Sequence, residues 1–182
     1  MITAARLEAE NENGRELTPK QWRLDLDAFP GGGSPYTWLV ATPFGALEGN
    51  RLFHLSVGAG RIGLLDPLIS VDSVTYKTGD GTVVPLTENV DYIVDAGKHP
   101  GIICPAYQKT WPSGPLWPSG AVQITFTAGF TPSTVPATIK QGCLLLVSQW
   151  YEGRIPYEAI RFVAELPFSV SSLFRNGKLW NF

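Results

Sequence analysis

The feature that most constrains this chain is a strict two-residue alternation that recurs along its middle. Trp22, Leu24, Leu26 and Ala28 alternate with Arg23, Asp25 and Asp27, and Val122, Ile124, Phe126 and Ala128 alternate with Gln123, Thr125 and Thr127. Successive side chains of a strand point to opposite faces, so each run builds a strand with one apolar and one wet face. Such strands belong to antiparallel sheets, since parallel sheets are covered on both sides. Shorter alternations fall at Phe53, Leu55 and Val57, and at Val90, Tyr92 and Val94 against Asp91 and Asp95. Between Leu68 and Tyr76 the apolar parity changes between Val71 and Val74, which predicts a β-bulge. Thr78 to Gly81 reads as a turn, with Thr82 to Leu86 returning as the hairpin partner. Pro85 cannot donate to a ladder and places that return strand at an edge or at its end.

The two ends of the chain are helical in pattern. Ile2, Ala5, Leu7 and Ala9 lie among Glu8, Glu10 and Glu12, and Gly14 is a natural stop. So short a helix does not persist alone in water and has to dock on something. Near the other end, Ile139, Cys143, Leu146, Val147, Trp150 and Tyr151 recur at helical spacing, with Lys140, Gln141, Ser148 and Glu152 opposite. Pro136 sits where a first-turn proline belongs, after Ser133 and Thr134 as caps, and Gly153 and Pro156 end the element. Leu144 and Leu145 widen the apolar stripe, as expected for a helix covered on two sides. The expected organisation is one α+β domain over 1–182: a short helix over 1–14, a β region over 21–130 with an insertion over about 31–61, a core helix over 136–153, and a tail over 166–182. Trp22, Tyr92, Phe126, Trp150 and Tyr151 are the expected core aromatics, the last two buried against the sheet.

Two stretches of the β region read as loops. Pro30 to Pro35 is a flexible break, and the segment on to Asn50 reads as an excursion from the sheet. Trp111 to Gly120 is a Pro/Gly arm carrying Trp111 and Trp117, held extended by its prolines. Two readings stand for it: a loop folded back with both Trp covering their own core, or an arm whose aromatic area contacts a partner.

The chain has 182 residues, 44% hydrophobic and 16% charged, the balance of a folded globular protein. A net charge of −2 gives no general basic signal for nucleic acid. Cys104 and Cys143 are far apart and read as half-buried thiols in a reducing compartment. There is no apolar run long enough for a bilayer and no evident signal peptide, so the protein is expected to be made and kept in a cytoplasm or in something assembled there. Convergent chemistry is sparse. His54 reads as a strand residue and His99 as a turn residue, neither with an acidic or Cys neighbour at metal-ligand spacing. Asp25 with Asp27 and Asp91 with Asp95 are same-face strand pairs and read as solubilising charges. Gly58 to Gly63 has the glycine spacing of a phosphate loop, but Asp66 and Pro67 follow where a helix is required. No catalytic, metal or cofactor site is expected.

At Trp22 to Pro30 the chain begins to resemble the head–tail connector (adaptor) proteins of long-tailed phages and gene transfer agents. Further matches follow in the same order: Pro67 to Tyr76 running into Gly79-Asp80-Gly81, Asp91 to Asp95, Trp111-Pro112, Val122 to Phe130, Val135 to Gln141, Gln149 to Arg154, and Glu165 to Val170. No one motif is specific; their order across most of the chain is. The resemblance implies helices beside an antiparallel β region, no catalytic activity, and a closed ring, usually of twelve subunits, under the portal. That ring extends the channel for double-stranded DNA in the neck of a virion assembled in a bacterial cytoplasm, and receives a stopper or tail-completion protein. Family members open with a longer helical segment before the position of Ile2, and their counterpart of the stretch from Gly31 to about Arg61 is shorter.

The resemblance also gives the tail a role, since family adaptors grip the portal with a terminal segment. Between Lys140 and Phe182 there are five basic and three acidic residues, so this end is locally positive. Leu173, Phe174, Leu179, Trp180 and Phe182, with Arg175 and Lys178, are therefore the expected portal-docking residues; a tail folded onto its own subunit is the alternative. The rival function is a β-rich tail or baseplate component that binds a receptor or glycan through exposed Trp111 and Trp117. An enzyme of unknown type is the third reading.

Overall fold

The computed structural model describes residues 1–30, 39–43, 51–53, 57–58, 60–152 and 168–175. The chain divides into two compact units: Thr18–Gly129, and Met1–Leu17 together with Phe130–Phe182. The fold is α+β, with antiparallel sheets in the first unit and helices in the second.

In the β unit, β1 (Lys20–Leu26), β2 (Leu39–Pro43), β3 (Arg51–Phe53), β6 (Leu68–Lys77), β7 (Val83–Leu86) and β10 (Val122–Ala128) form a six-stranded sheet in the order β3-β2-β1-β10-β6-β7. A second sheet holds β4 (Val57–Gly58), β5 (Arg61–Gly63), β8 (Tyr92–Asp95) and β9 (Ile102–Pro105) in the order β4-β5-β9-β8. Every strand pair is antiparallel. β10 lies at the centre of the larger sheet, paired along its length with β1 and β6. Within the strands the alternation read from the sequence is the alternation of burial: Trp22, Leu24, Leu26, Val122, Ile124, Phe126 and Ala128 all lie inside, whereas Ala28, beyond the end of β1, is exposed. They share one core with Ile62, Tyr92 and Ile103 of the smaller sheet.

The bulge expected between Val71 and Val74 is present. Thr125 pairs with Ser73 and Phe126 with Val71, so Asp72 is the extra residue, and a second shift follows at Ile69. β7 pairs with β6 as the hairpin partner and is an edge strand, with Pro85 opposite Thr75. After β10 the chain turns at Gly129, whose φ of 131° and close approach to the Thr18 carbonyl leave no room for a Cβ.

Two expectations change here. The stretch after Pro35 is not wholly an excursion, because Leu39–Pro43 and Arg51–Phe53 extend the six-stranded sheet beside β1. The alternation at Phe53, Leu55 and Val57 is likewise not one strand: Arg51–Phe53 and Val57–Gly58 belong to different sheets. His54, Leu55 and the break from Gly31 to Pro35 lie outside the described residues.

In the helical unit, α1 (Ile2–Asn13) ends at Gly14 in the left-handed conformation, as expected. α2 (Ala137–Glu152) packs with α1 and with α3 (Phe168–Arg175). Pro136 supplies the first helical acceptor, its carbonyl taking the amides of Ile139 and Lys140. Thr134 bonds back to Thr131 in the preceding turn and so shapes the approach to the helix. The core of this unit is Ala5, Ala9, Leu17, Ile139, Leu146, Val170 and Phe174. Phe174 is fully buried on Gly142, where an added Cβ would stand 2.5 Å from its ring.

The placement of Trp150 and Tyr151 is corrected. α2 is packed by helices of its own unit, with Ile139, Gly142 and Leu146 facing inward. Trp150 packs at the margin of that core, and Tyr151, turned about 100° further round the helix, is 64% exposed. Two substitutions test this packing. Phe174→Ala should cost roughly 3–5 kcal/mol as a core truncation. In Gly142→Ala the propensity gain of up to about 1 kcal/mol is opposed by overpacking of roughly 1–3 kcal/mol, so a net loss of stability is expected. Denaturant melts check both, and a Gly142→Ala variant more stable than wild type would contradict the packing.

Candidate interaction surfaces

The residues singled out as site candidates fall on three surfaces. The Trp/Pro arm folds back on the β unit. Trp111 stacks on Phe29 with ring centroids 4.8 Å apart and donates from Nε1 to the Gly60 carbonyl at 2.6 Å. At 8% exposure it is a core residue, so as a partner-contact residue it is corrected: both its ring face and its N–H are already used. The rest of the arm is fastened to the β6–β7 hairpin through Gly79 N–H to Pro115 O at 2.8 Å and Trp117 N–H to Lys77 O at 3.0 Å. Trp117 stays 39% exposed, with the Lys77 ammonium 3.8 Å from its ring centroid. Between arm and hairpin lies an open cleft of about 560 Å³ lined by Tyr76, Asp80, Pro112, Pro115 and Leu116. The Asp80 carboxylate accepts from the Thr78 hydroxyl and the Thr82 amide, which together hold its pKa below the usual carboxylate value.

The outer face of the larger sheet is polar and internally bonded. The bulge at Asp72 lets its carboxylate accept from Gln21, Thr127 and Ser70 at 2.7, 3.3 and 3.0 Å. Asp25 accepts from Arg23 and Gln123, each at 3.1 Å, and Asp27 from the Gly120 amide at 2.7 Å. Asp91 accepts from the Thr87 amide at 2.9 Å, and Asp95 pairs with Lys98 at 3.2 Å. These carboxylates, read as solubilising charges, also pin strands and turns to one another.

One pairing escaped the sequence. His99 Nδ1 lies 2.5 Å from Oδ1 of Asp66, a carboxylate with no exposed side-chain surface. The two are 33 positions apart, and no local spacing rule reaches that far. Among the described residues no group of three His, Cys, Asp or Glu side chains could hold a metal ion. Arg61–Gly63 is strand β5, so the glycine run fails as a phosphate loop. Both cysteines are free and half-buried, and burial, with Glu10 as a lesser cause, pushes the Cys143 thiol up. No helix among the described residues is long and apolar enough to cross a membrane.

The third surface is the helical unit. Of the expected docking residues, Phe174 is core and Leu173 is half-buried. Arg175 donates to Glu12 of α1 at 2.6 Å. Phe174 is therefore corrected to a core residue of its own chain, whereas Arg175 keeps 64% of its side chain exposed beside Glu12. Lys178, Leu179, Trp180 and Phe182 lie outside the described residues. Leu144 and Leu145, expected to widen the apolar stripe of a helix covered on two sides, instead stand 65% and 40% exposed.

No protein-family model and no curated protein matches the chain. Two solved structures resemble it over its whole length. One is described as the neck of an empty GTA particle computed with C6 symmetry: TM-score 0.64, 21% identity, covering 100% of this chain and 77% of that one. The other is the neck of a native GTA particle computed with C12 symmetry: TM-score 0.61, 21% identity, covering 100% and 81%. The fold is thus that of chains found in the neck of gene transfer agent particles.

The two tryptophans of the arm give a test. Trp111→Ala should cost roughly 3–5 kcal/mol in a denaturant melt, and Trp117→Ala under about 1 kcal/mol. Equal losses would contradict the division of the arm into an anchored end and a surface end.

Proposed function

We propose that the chain is a structural subunit of the head–tail connector (adaptor) of a tailed phage or gene transfer agent. Closed into a ring beneath the portal, it extends the DNA channel and receives the next connector or tail-completion protein. The observation that carries this reading is the whole-length fold match to chains of neck assemblies solved with C6 and C12 symmetry. The order of family-like motifs from Trp22 to Val170 supports it independently. The rival glycan-binding reading loses its platform, because Trp111 is buried and Lys77 already lies over the Trp117 ring.

On this reading the protein need only stay folded, close a ring and let DNA slide. A strongly basic lining would hold DNA through counterion release, whereas this chain carries −2 overall. Portal docking falls to the segment beyond Arg175, with Lys178, Leu179, Trp180 and Phe182 as its anchors, since Phe174 is already buried within its own chain and Arg175 donates to Glu12.

Mixing with purified portal of the same phage tests the assignment. The wild-type chain should co-sediment with portal and add a ring to its images, and deletion of Gly177–Phe182 should leave a folded protein that no longer does so. A wild-type chain that ignores portal contradicts the function; a truncated one that still binds contradicts the tail as anchor. Double-stranded DNA offered to the isolated protein should show no gel shift at submicromolar concentration in physiological salt. Tight binding there would contradict the sliding channel.

A further inference from the structure

The cleft between the Trp/Pro arm and the β6–β7 hairpin has walls that are fixed in advance. Pro112 and Pro115 restrict the backbone of the arm. Three ties fasten it to the hairpin: Gly79 N–H to Pro115 O at 2.8 Å, Trp117 N–H to Lys77 O at 3.0 Å, and a β-bridge between Thr78 and Leu116. Tyr76 and Leu116 pack against the β core, which keeps them from swinging in to fill the space. About 560 Å³ stays open, within the range of sites that take a ligand or a partner's side chain.

Asp80 carries the only charge among the residues that line this cleft. The arm from Thr110 to Ala121 has no charged residue. Oδ1 of Asp80 already accepts from the Thr78 hydroxyl and the Thr82 amide, which keep the carboxylate ionised. Among the described residues Oδ2 accepts no hydrogen bond and no cation pairs with the carboxylate; the Lys77 ammonium lies over the Trp117 ring instead. The cleft therefore joins apolar walls to one ionised acceptor with unused capacity.

We propose that this cleft receives an arginine side chain presented by an extended apolar segment of a partner protein. A planar guanidinium offers paired N–H donors to a carboxylate and lays its flat face on an aromatic ring, whereas an ammonium is a strongly hydrated point charge. Its aliphatic stem suits the surface of Pro115 and Leu116. An anionic segment would be repelled by Asp80, and a purely apolar one would strip the carboxylate of water without a replacement bond. Walls set before binding lower the ordering cost of the encounter.

Amide proton–nitrogen NMR spectra of the full chain test this, with acetyl-Leu-Arg-Leu-amide as the probe and acetyl-Leu-Gln-Leu-amide as its uncharged counterpart. The Arg peptide should shift the amides of Gly79, Asp80, Gly114 and Leu116 saturably, and the Gln peptide should bind about threefold to fivefold more weakly. Asp80→Asn keeps the oxygen that accepts from Thr78 and Thr82 while removing the charge, so it should melt like wild type and weaken the Arg peptide by the same factor. If that variant fails to fold, the comparison of the two peptides on the wild-type chain decides alone. An Arg peptide that leaves these amides unmoved, a Gln peptide that binds equally well, or a folded Asp80→Asn variant that binds like wild type overturns the proposal. Shifts of the same amides on concentrating the peptide-free chain would give the cleft to a second copy, and overturn it too.

Discussion

The β unit depends on the burial of one face of one strand. β10 contributes Val122, Ile124, Phe126 and Ala128 to the core and pairs with β1 on one side and β6 on the other. Its partners lie about a hundred and about fifty positions earlier in the chain, so forming this sheet means closing long loops before any contact rewards it. Once β10 is in place, much else is determined. The Asp72 bulge re-aims a carboxylate that bonds to three outer-face side chains, and Gly129 turns the chain past the Thr18 backbone, where no larger residue fits.

The parts of the fold legible in the sequence were those with a short period. Alternation over two residues located β1 and β10, a parity change located the bulge, and Pro85 marked an edge strand. What sequence reasoning missed depends on tertiary partners. The periodicity of α2 runs nearly all the way round the helix, so it cannot say which side is covered first; Tyr151 and Leu144 were apolar enough for the core and lie outside it. β2 and β3 have no strong alternation of their own and follow a glycine-rich break, yet their backbones extend the sheet.

The candidate sites show the same divide. Trp111 and Trp117 share one arm and similar Pro/Gly surroundings, but Phe29 and Gly60, distant in sequence, make the first a core residue. Phe174 had the composition of a docking tail, but Gly142 leaves the space in which its ring is buried within its own chain. Composition can name residues suited to an interface, and only packing tells which are still free to form one.

On the proposed reading the chain is a set of surfaces around two cores, and its function would lie in where those surfaces are placed. The most direct test of the proposed connector role is an electron cryomicroscopy reconstruction of the neck of the phage or gene transfer agent particle whose genes include this chain. The account predicts copies of the chain in a closed ring immediately beneath the portal, with the DNA path on the ring axis. Finding the chain at the distal end of the tail, or as isolated copies outside the neck, would contradict it.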